Sequence, residues 1–499
     1  MKPTLEFEGE QIAAEDFFQR YQRAAVALRT AGVGEGDVVA LLMRNGPDLL
    51  ELMLAARWIG ALWCPINWHF KADEVQYILN DSGAKVLIAD TALLDGLLAG
   101  PAGLKLEGIT TFETALESNS PALPRWAAYR DAVNTPNMAA SAPRGAMFYT
   151  SGTTGRPKGI RRAPSNPEHV ARGLAVLRHC LGFEPGMRAL VNAPMYHSAP
   201  NSYSIGSSLD NAHLFIQSRF DAEDTLRMIA QHRITHAYLV PTMFVRMLRL
   251  PRSVRTRYDV SSMRFVASTG SPCPPDVKRA MIEWWGPVIY ESYGASELGY
   301  MTRLDSHEAL RKPGSAGKPL AGATVAILDE QGAPVPQGKA GLIYVHQPAY
   351  ADFSYIGNDA ARQKMERGGL KTLGDIGYVD EDGFLFIVDR SADLVISGGV
   401  NIYPAEIEAA LQMMPGVVDC AVFGIPDPEF GEALACAVQT VPGASQDADE
   451  VQAFLKSRLA TYKVPKTITF HTEMPREDTG KIFKRKLREP YWAGQARRV

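Results

Sequence analysis

Cysteine is scarce in this chain. The 499 residues hold five, Cys64, Cys180, Cys273, Cys420 and Cys436, and none forms a C-x-x-C pair. An odd, scattered set argues against a disulfide framework and fits a reducing cytoplasm. Net charge is also slight. Lys and Arg number 52 against 55 Asp and Glu, a formal charge of −3, so no electrostatic case arises for a nucleic-acid partner. Long apolar runs are missing. Ala189–Leu209 lacks Asp, Glu, Lys and Arg, but Pro194, Pro200, His197, two asparagines and several serines exclude a membrane span. The opening Met-Lys-Pro-Thr-Leu-Glu-Phe-Glu has no apolar secretory core, so no signal peptide is expected. No internal repeat or low-complexity tract stands out.

What is present suits a globular enzyme of two or more domains: 46% hydrophobic and 21% charged residues over this length. Helical periodicity runs through Ala13–Ala31, with Phe17, Tyr21, Ala25 and Leu28 on one face. Val38–Met43 and Ala84–Asp90 read as strands, with a helix at Pro47–Ile59. Asp221–Arg233 reads as a helix and Thr235–Val240 as a strand. Such alternation predicts an α/β architecture with mostly parallel sheets. Near residue 320 the texture changes. Thr324–Leu328, Gly341–His346 and Gly383–Val388 are short strands between Gly/Pro turns, and predict a β-rich subdomain over about 320–389. A boundary at 389/390 then separates an N-terminal domain, 1–389, from an α+β C-terminal domain, 390–499. That smaller domain would hold a helix at Pro404–Met414, strands at Val418–Phe423 and Ala433–Gln439, and a helix at Asp449–Leu459.

The most informative run is Tyr149-Thr150-Ser151-Gly152-Thr153-Thr154-Gly155-Arg156-Pro157-Lys158-Gly159. Glycines let backbone N–H groups approach an anion, hydroxyls add donors, and Lys158 adds a point charge. The run reads as a phosphate cradle, although its spacing is not that of a Walker A loop. A Gly/Ser/Thr linker is the bland alternative, but the apolar Ala146-Met147-Phe148 before it looks like a strand. Downstream, Tyr293 in Tyr290-Glu291-Ser292-Tyr293-Gly294-Ala295-Ser296-Glu297 offers a flat face to a purine, and Glu297 a hard oxygen to Mg²⁺. Asp375 can accept two hydrogen bonds from a ribose, and Arg390, fifteen residues on, can complete the grip.

These runs, in this order, resemble the signatures of the adenylate-forming superfamily: acyl-CoA synthetases, peptide-synthetase adenylation domains and luciferases. The likeness covers essentially the whole chain. It implies that Thr150 to Gly155 and Lys158 hold ATP phosphates, and that Thr150 and Glu297 serve Mg²⁺. It also implies that Gly270, Ser271 and Pro272, with Glu291, Ser292, Tyr293, Gly294 and Ser296, line the nucleotide. Asp375 and Arg390 would take the ribose. Gly398 and Gly399 would face the pantetheine arm of coenzyme A. Lys481, in Pro475-Arg476-Glu477-Asp478-Thr479-Gly480-Lys481-Ile482, stands where the family places its catalytic lysine.

His197 matches the family's P-x-x-H segment beside the acyl pocket, with Ser198, Ala199 and Ala295 as small lining residues. The family's hinge usually carries Asp or Lys where this chain has Ala392, and Asp393 stands next to it. The implied reaction turns a carboxylic acid and Mg·ATP into an acyl-adenylate, then a CoA thioester. Small pocket residues point to a medium-chain, long-chain or bulky aryl or alicyclic acid. No arginine is evidently placed for a dicarboxylate, although Arg161 and Arg162 follow the phosphate loop. Alternatives are loading of a carrier protein in trans, luciferase-type oxidation, and a non-catalytic AMP-binding regulator. The basic run Lys484, Arg485, Lys486 and Arg488 reads first as a solvated face, and otherwise as a contact for CoA phosphates or an anionic membrane surface.

Overall fold

The computed structural model describes residues 4–99, 103–114, 123–134, 138–150, 157–391, 393–397, 400–441, 443–444, 446–476 and 482–493. By compactness the chain divides into one unit of Met1–Thr324 with His346–Glu366, and a second of Val325–Val345 with Arg367–Val499.

Local elements follow the sequence pattern closely. The first long helix is Ala14–Thr30, with Phe17, Ala24, Ala25 and Leu28 buried along one face and Glu15 and Asp16 in its first turn. Burying a side chain such as Phe17 contributes about 1.5–3 kcal/mol. Asp221 lies just outside its helix, Ala222–His232, because its carboxylate accepts the Asp224 N–H as an N-cap. Strands Val38–Leu42 and Leu62–Pro65 are buried at every position, as expected for parallel strands covered on both faces.

Three sheets build the first unit. One is parallel, in the order Leu62–Pro65, Val38–Leu42, Ala84–Ala89, Thr110–Glu113. A second runs in parallel from Thr4–Phe7 through His213–Ile216, Arg188–Val191, His236–Tyr238 and Phe265–Ser268 to Ile289–Ala295. Gly299–Leu304 then returns antiparallel to Ile289–Ala295. The third sheet is small: Phe148–Thr150 and Phe353–Tyr355 flank Lys158–Arg162, both antiparallel to it.

In the second unit Asp375–Val379 pairs antiparallel with Gly341–His346 and with Leu385–Arg390. A further sheet joins Val400–Ile402, Val395–Ser397, Gly431–Thr440 and Val417–Asp427, with Thr467–His471 parallel to Gly431–Thr440. Helices Pro404–Leu411 and Ala448–Lys456 supply Ile407, Leu411, Val451 and Leu455 to its core. Among the described residues no helix is long and apolar enough to cross a membrane.

One titrating group sits inside the first unit. His236 is 2% exposed, its Nδ1 2.8 Å from Thr235 Oγ1 and its ring stacked on Phe265. Burial, and then Arg264, push the imidazole down from 6.5 to about 4. Glu184 approaches Nε2 at 3.8 Å but is itself paired with Arg264. A depressed histidine stabilises the fold above its unfolded value of 6.5, and that contribution fades as pH falls toward 4. The wild-type urea midpoint should therefore drop over this window by the equivalent of up to about 3 kcal/mol, and His236→Gln should drop less. Parallel curves for the two proteins would assign the acid sensitivity to other groups.

Candidate active site

The small sheet of the first unit carries both ends of the run expected to hold phosphate. Its central hairpin sets Thr150 opposite Lys158, so both ends of the Gly/Ser/Thr run are held by strand pairing. Ser151, Gly152, Thr153, Thr154 and Gly155 lie outside the described residues. A Cβ at Gly159 would stand 2.8 Å from the Tyr149 ring and from Ile356, so the glycine leaves room for both side chains. Thr150 Oγ1 donates to Glu297 Oε1 at 3.3 Å across 147 positions of sequence. Tyr355 donates its phenol to the same oxygen at 3.1 Å, and Lys158 Nζ lies 5.2 Å from the Tyr355 ring centroid. Thr150, Lys158 and Glu297 are thus brought together, with Tyr355 as a member that sequence reasoning missed.

The turn that carries Glu297 is shaped by what surrounds it. Gly294 packs so tightly on the returning strand that a Cβ would stand 2.4 Å from the Gly299 carbonyl oxygen. Leu298 N–H donates to Ala295 O, and Gly299 turns the chain with φ +75. Ser198 and Ser296 share a hydrogen bond of 2.7 Å between their hydroxyls, which joins the expected acyl-pocket segment to the turn. Arg162 donates to the carbonyls of Ser296 at 2.8 Å and Glu297 at 2.9 Å. Thr150 and Glu297 together offer a hydroxyl and a carboxylate, the hard oxygens that Mg²⁺ accepts alongside phosphate oxygens. Among the described residues no group of three or more His, Cys, Asp or Glu could hold a metal by itself.

Next to this turn, the strand Ile289–Ala295 places Tyr293 partly exposed, opposite Thr302. Thr269 Oγ1 donates to Ser292 O at 2.6 Å, tying the Gly270-Ser271-Pro272 loop to the strand. Gly270 has φ +95, a conformation that side chains rarely adopt. The Glu291 carboxylate turns away to a buried ion pair with Lys278 at 2.5 Å. Burial pushes Glu291 up, and Lys278 opposes that. Its side chain is committed to that pair, and in its strand it is flanked by Ser268 on one side and Leu304 on the other.

His197 is the N-cap residue of helix Ser198–Leu209. Two amides hold the segment before it. Asn45 donates to Ala193 O and Gln217 O and accepts from the Met195 N–H. Asn201 donates to Met195 O at 2.8 Å and accepts from Trp63 Nε1. Both asparagines are buried, and sequence reading gave no sign of either role. Ser198, Ala199 and Ala295 are partly exposed.

In the second unit, Asp375 and Arg390 are direct cross-strand partners, and Arg390 Nε donates to Asp375 Oδ1 at 3.2 Å. Asp375 is buried while the Arg390 side chain is 60% exposed. The neighbouring Asp389 accepts the Ala405 N–H at 3.0 Å, capping helix Pro404–Leu411. Ala392, Gly398, Gly399 and Lys481 lie outside the described residues.

The basic run near the end is not a solvated face throughout. Lys484 is 19% exposed and pairs with Glu408 at 2.9 Å. Burial alone would lower its ammonium, but Glu408, Asp393 and Asp389 outweigh it and hold it above its usual value. The helix Lys484–Trp492 lies on the sheet, where Leu487 and Tyr491 pack near Phe423 and Trp492 Nε1 donates to Gly424 O at 3.0 Å. Alternation on a nine-residue helix places Lys484 inward, which charge counting alone does not reveal.

A family model described as AMP-binding enzyme matches residues 1–352, and one described as AMP-binding enzyme C-terminal domain matches 406–481. The chain belongs to the AMP-binding enzyme family. Feruloyl-CoA synthase of Amycolatopsis sp is 35% identical over 97% of this chain and 94% of its own. 2-Succinylbenzoate--CoA ligase of Geobacillus kaustophilus is 34% identical over 96% and 95%. ATP-bound MatB from Rhodopseudomonas palustris superposes with a TM-score of 0.84 at 29% identity, over 98% of this chain and 96% of that one.

Removing Lys484 would strand Glu408. Lys484→Met should cost about 3–5 kcal/mol and lower the melting temperature by several degrees. The double variant Lys484→Met with Glu408→Leu should regain most of that loss. Arg485→Ala should stay within about 0.5 kcal/mol. Calorimetric melting of the three proteins checks this, and an unchanged Lys484→Met would show that the pair carries no such burden.

Proposed function

We propose that this AMP-binding enzyme joins a medium-chain, long-chain or bulky aryl or alicyclic carboxylic acid to CoA. It is an ATP-dependent acid–CoA ligase that works through an acyl-adenylate, with ATP, Mg²⁺ and CoA as its cofactors. The observation that carries the reading is the meeting of Thr150, Glu297 and Lys158 at the mouth of the Gly/Ser/Thr run.

The site residues have the following roles in this reading. Lys158 and the run's N–H groups take the ATP phosphates. Glu297 and Thr150 would hold Mg²⁺, which when bound would neutralise charge on the phosphates. Tyr293 and the Gly270-Ser271-Pro272 loop take the adenine, and Asp375 with Arg390 the ribose. A carboxylate oxygen attacks the α-phosphorus, the Pα–O bond to the β-phosphate breaks, and pyrophosphate leaves. Lys481 offsets the repulsion between the two anions in this step. The CoA sulfur then attacks the acyl carbon past Gly398 and Gly399, the thiol proton is lost, and AMP leaves with its oxygen. The C-terminal domain turns about Ala392 between the steps. His197 borders the acyl pocket.

An aryl acid is the first choice because the relatives named for aromatic acids, feruloyl-CoA synthase and 2-succinylbenzoate--CoA ligase, match nearly end to end. Five free, buried cysteines suit work in a reducing cytoplasm.

AMP release from Mg·ATP should be measured with acetate, octanoate, palmitate, cinnamates and alicyclic acids, each with and without CoA. AMP should accumulate with one acid class and only when CoA is present. Pyrophosphate release without stimulation by CoA would point to a carrier protein instead. Lys481→Ala should slow adenylate formation by about 100-fold or more, yet spare thioester formation from a supplied adenylate. Equal loss of both steps would overturn the assignment of Lys481 to the first.

A further inference from the structure

Arg162 presents an unusual set of partners. Its guanidinium donates to three backbone carbonyls, Ala351 at 3.0 Å, Ser296 at 2.8 Å and Glu297 at 2.9 Å. Among the described residues it makes no ion pair. Its plane lies over the Tyr350 ring, 5.4 Å from the centroid. That ring in turn presses on Gly299, where a Cβ would stand 2.1 Å from it. Burial lowers the guanidinium from its usual value, against Tyr350, Glu297 and Asp352, but an arginine stays charged under all working conditions.

A full cation spent on carbonyls, with no carboxylate in contact, is costly to maintain. The arrangement has one consequence that an apolar side chain could not supply. The peptide planes on both sides of the Glu297 side chain are clamped from the same strand, Lys158–Arg162, that carries Lys158. The strand that orients the phosphate lysine therefore also orients the carboxylate.

We propose that Arg162 is a positioning residue for Glu297. It fixes the turn at Ser296 and Glu297 so that the carboxylate faces Thr150, whose hydroxyl it meets at 3.3 Å. The inference rests on the reading of Glu297 as a Mg²⁺ ligand given above. Lysine would keep the charge but lose the planar fork that reaches two carbonyls at once.

The test is ATP–pyrophosphate exchange with the activating acid, titrated with Mg²⁺, for wild type, Arg162→Gln, Arg162→Lys, Glu297→Gln and the double variant Arg162→Gln with Glu297→Gln. Arg162→Gln should raise the Mg²⁺ concentration for half-maximal exchange by about tenfold or more, since small misplacements at a reacting site cost heavily. Arg162→Lys should fall between. The double variant should be no worse than Glu297→Gln alone, because both changes then remove one function.

If Arg162→Gln lowers exchange equally at every Mg²⁺ concentration, or multiplies the loss of Glu297→Gln, Arg162 only supports the fold and the inference fails. Should Arg162→Gln not fold, Arg162→Lys carries the same cycle. If Glu297→Gln itself leaves the Mg²⁺ dependence unchanged, the reading of Glu297 is what has failed, and the inference falls with it.

Discussion

The first unit depends on a meeting between two side chains 147 residues apart. A hairpin strand carries Thr150 and its partner strand carries Lys158, while a tight turn between two other strands carries Glu297. The strand of Lys158 locks the turn through Arg162, which donates to Ser296 O and Glu297 O, and Gly294 lets the strand before the turn lie against the Gly299 carbonyl, where a Cβ would stand 2.4 Å away. A motif that reads as flexible on paper is therefore held at both edges, where Thr150 pairs with Lys158.

The segment before His197 is held in the same way. The segment Ala193–His197 has no regular structure of its own beyond its turn, so its carbonyls and N–H groups need outside partners. Asn45 and Asn201 supply them from Val38–Leu42's loop and from helix Ser198–Leu209. The Ser198–Ser296 bond then couples that segment to the Glu297 turn. Asn201 and the Ser198–Ser296 pair thus link the segment before His197 to the Glu297 turn within the first unit.

Much of this was legible beforehand, for physical reasons. The helix at Ala14–Thr30 and the strands Thr324–Leu328 and Gly341–His346 appear where periodicity and turn residues put them. Ends shifted where a cap intervened, as at Asp221. The pairing of Asp375 with Arg390 was visible as two chemistry-bearing residues flanking a turn. What stayed hidden were residues whose role depends on a distant neighbour. Arg162 was noted only as following the phosphate loop, and nothing in the local sequence singled out Tyr355 or Asn45. Their partners lie 58 to 150 positions away, beyond any local pattern. Lys484 was misread for a related reason: a run of like charges conceals which member points inward.

In the second unit a different economy operates. Asp389 stands next to Arg390 in the same strand, and its carboxylate caps helix Pro404–Leu411 through the Ala405 N–H. The same helix carries Glu408, which accepts from Val422 N–H and pairs with Lys484. At the other stem of the segment that holds Lys481, Arg476 pairs with Asp419 at 2.6 Å and forms a bridge with Ile482, while Phe483 N–H donates to Pro475 O. Buried pairs of this kind add little net stability over apolar packing. Their effect is directional: each fixes one strand or helix end against another. Asp389 thus holds the start of helix Pro404–Leu411, Glu408 holds Lys484 to Val422, and Arg476 holds the strand at Asp419.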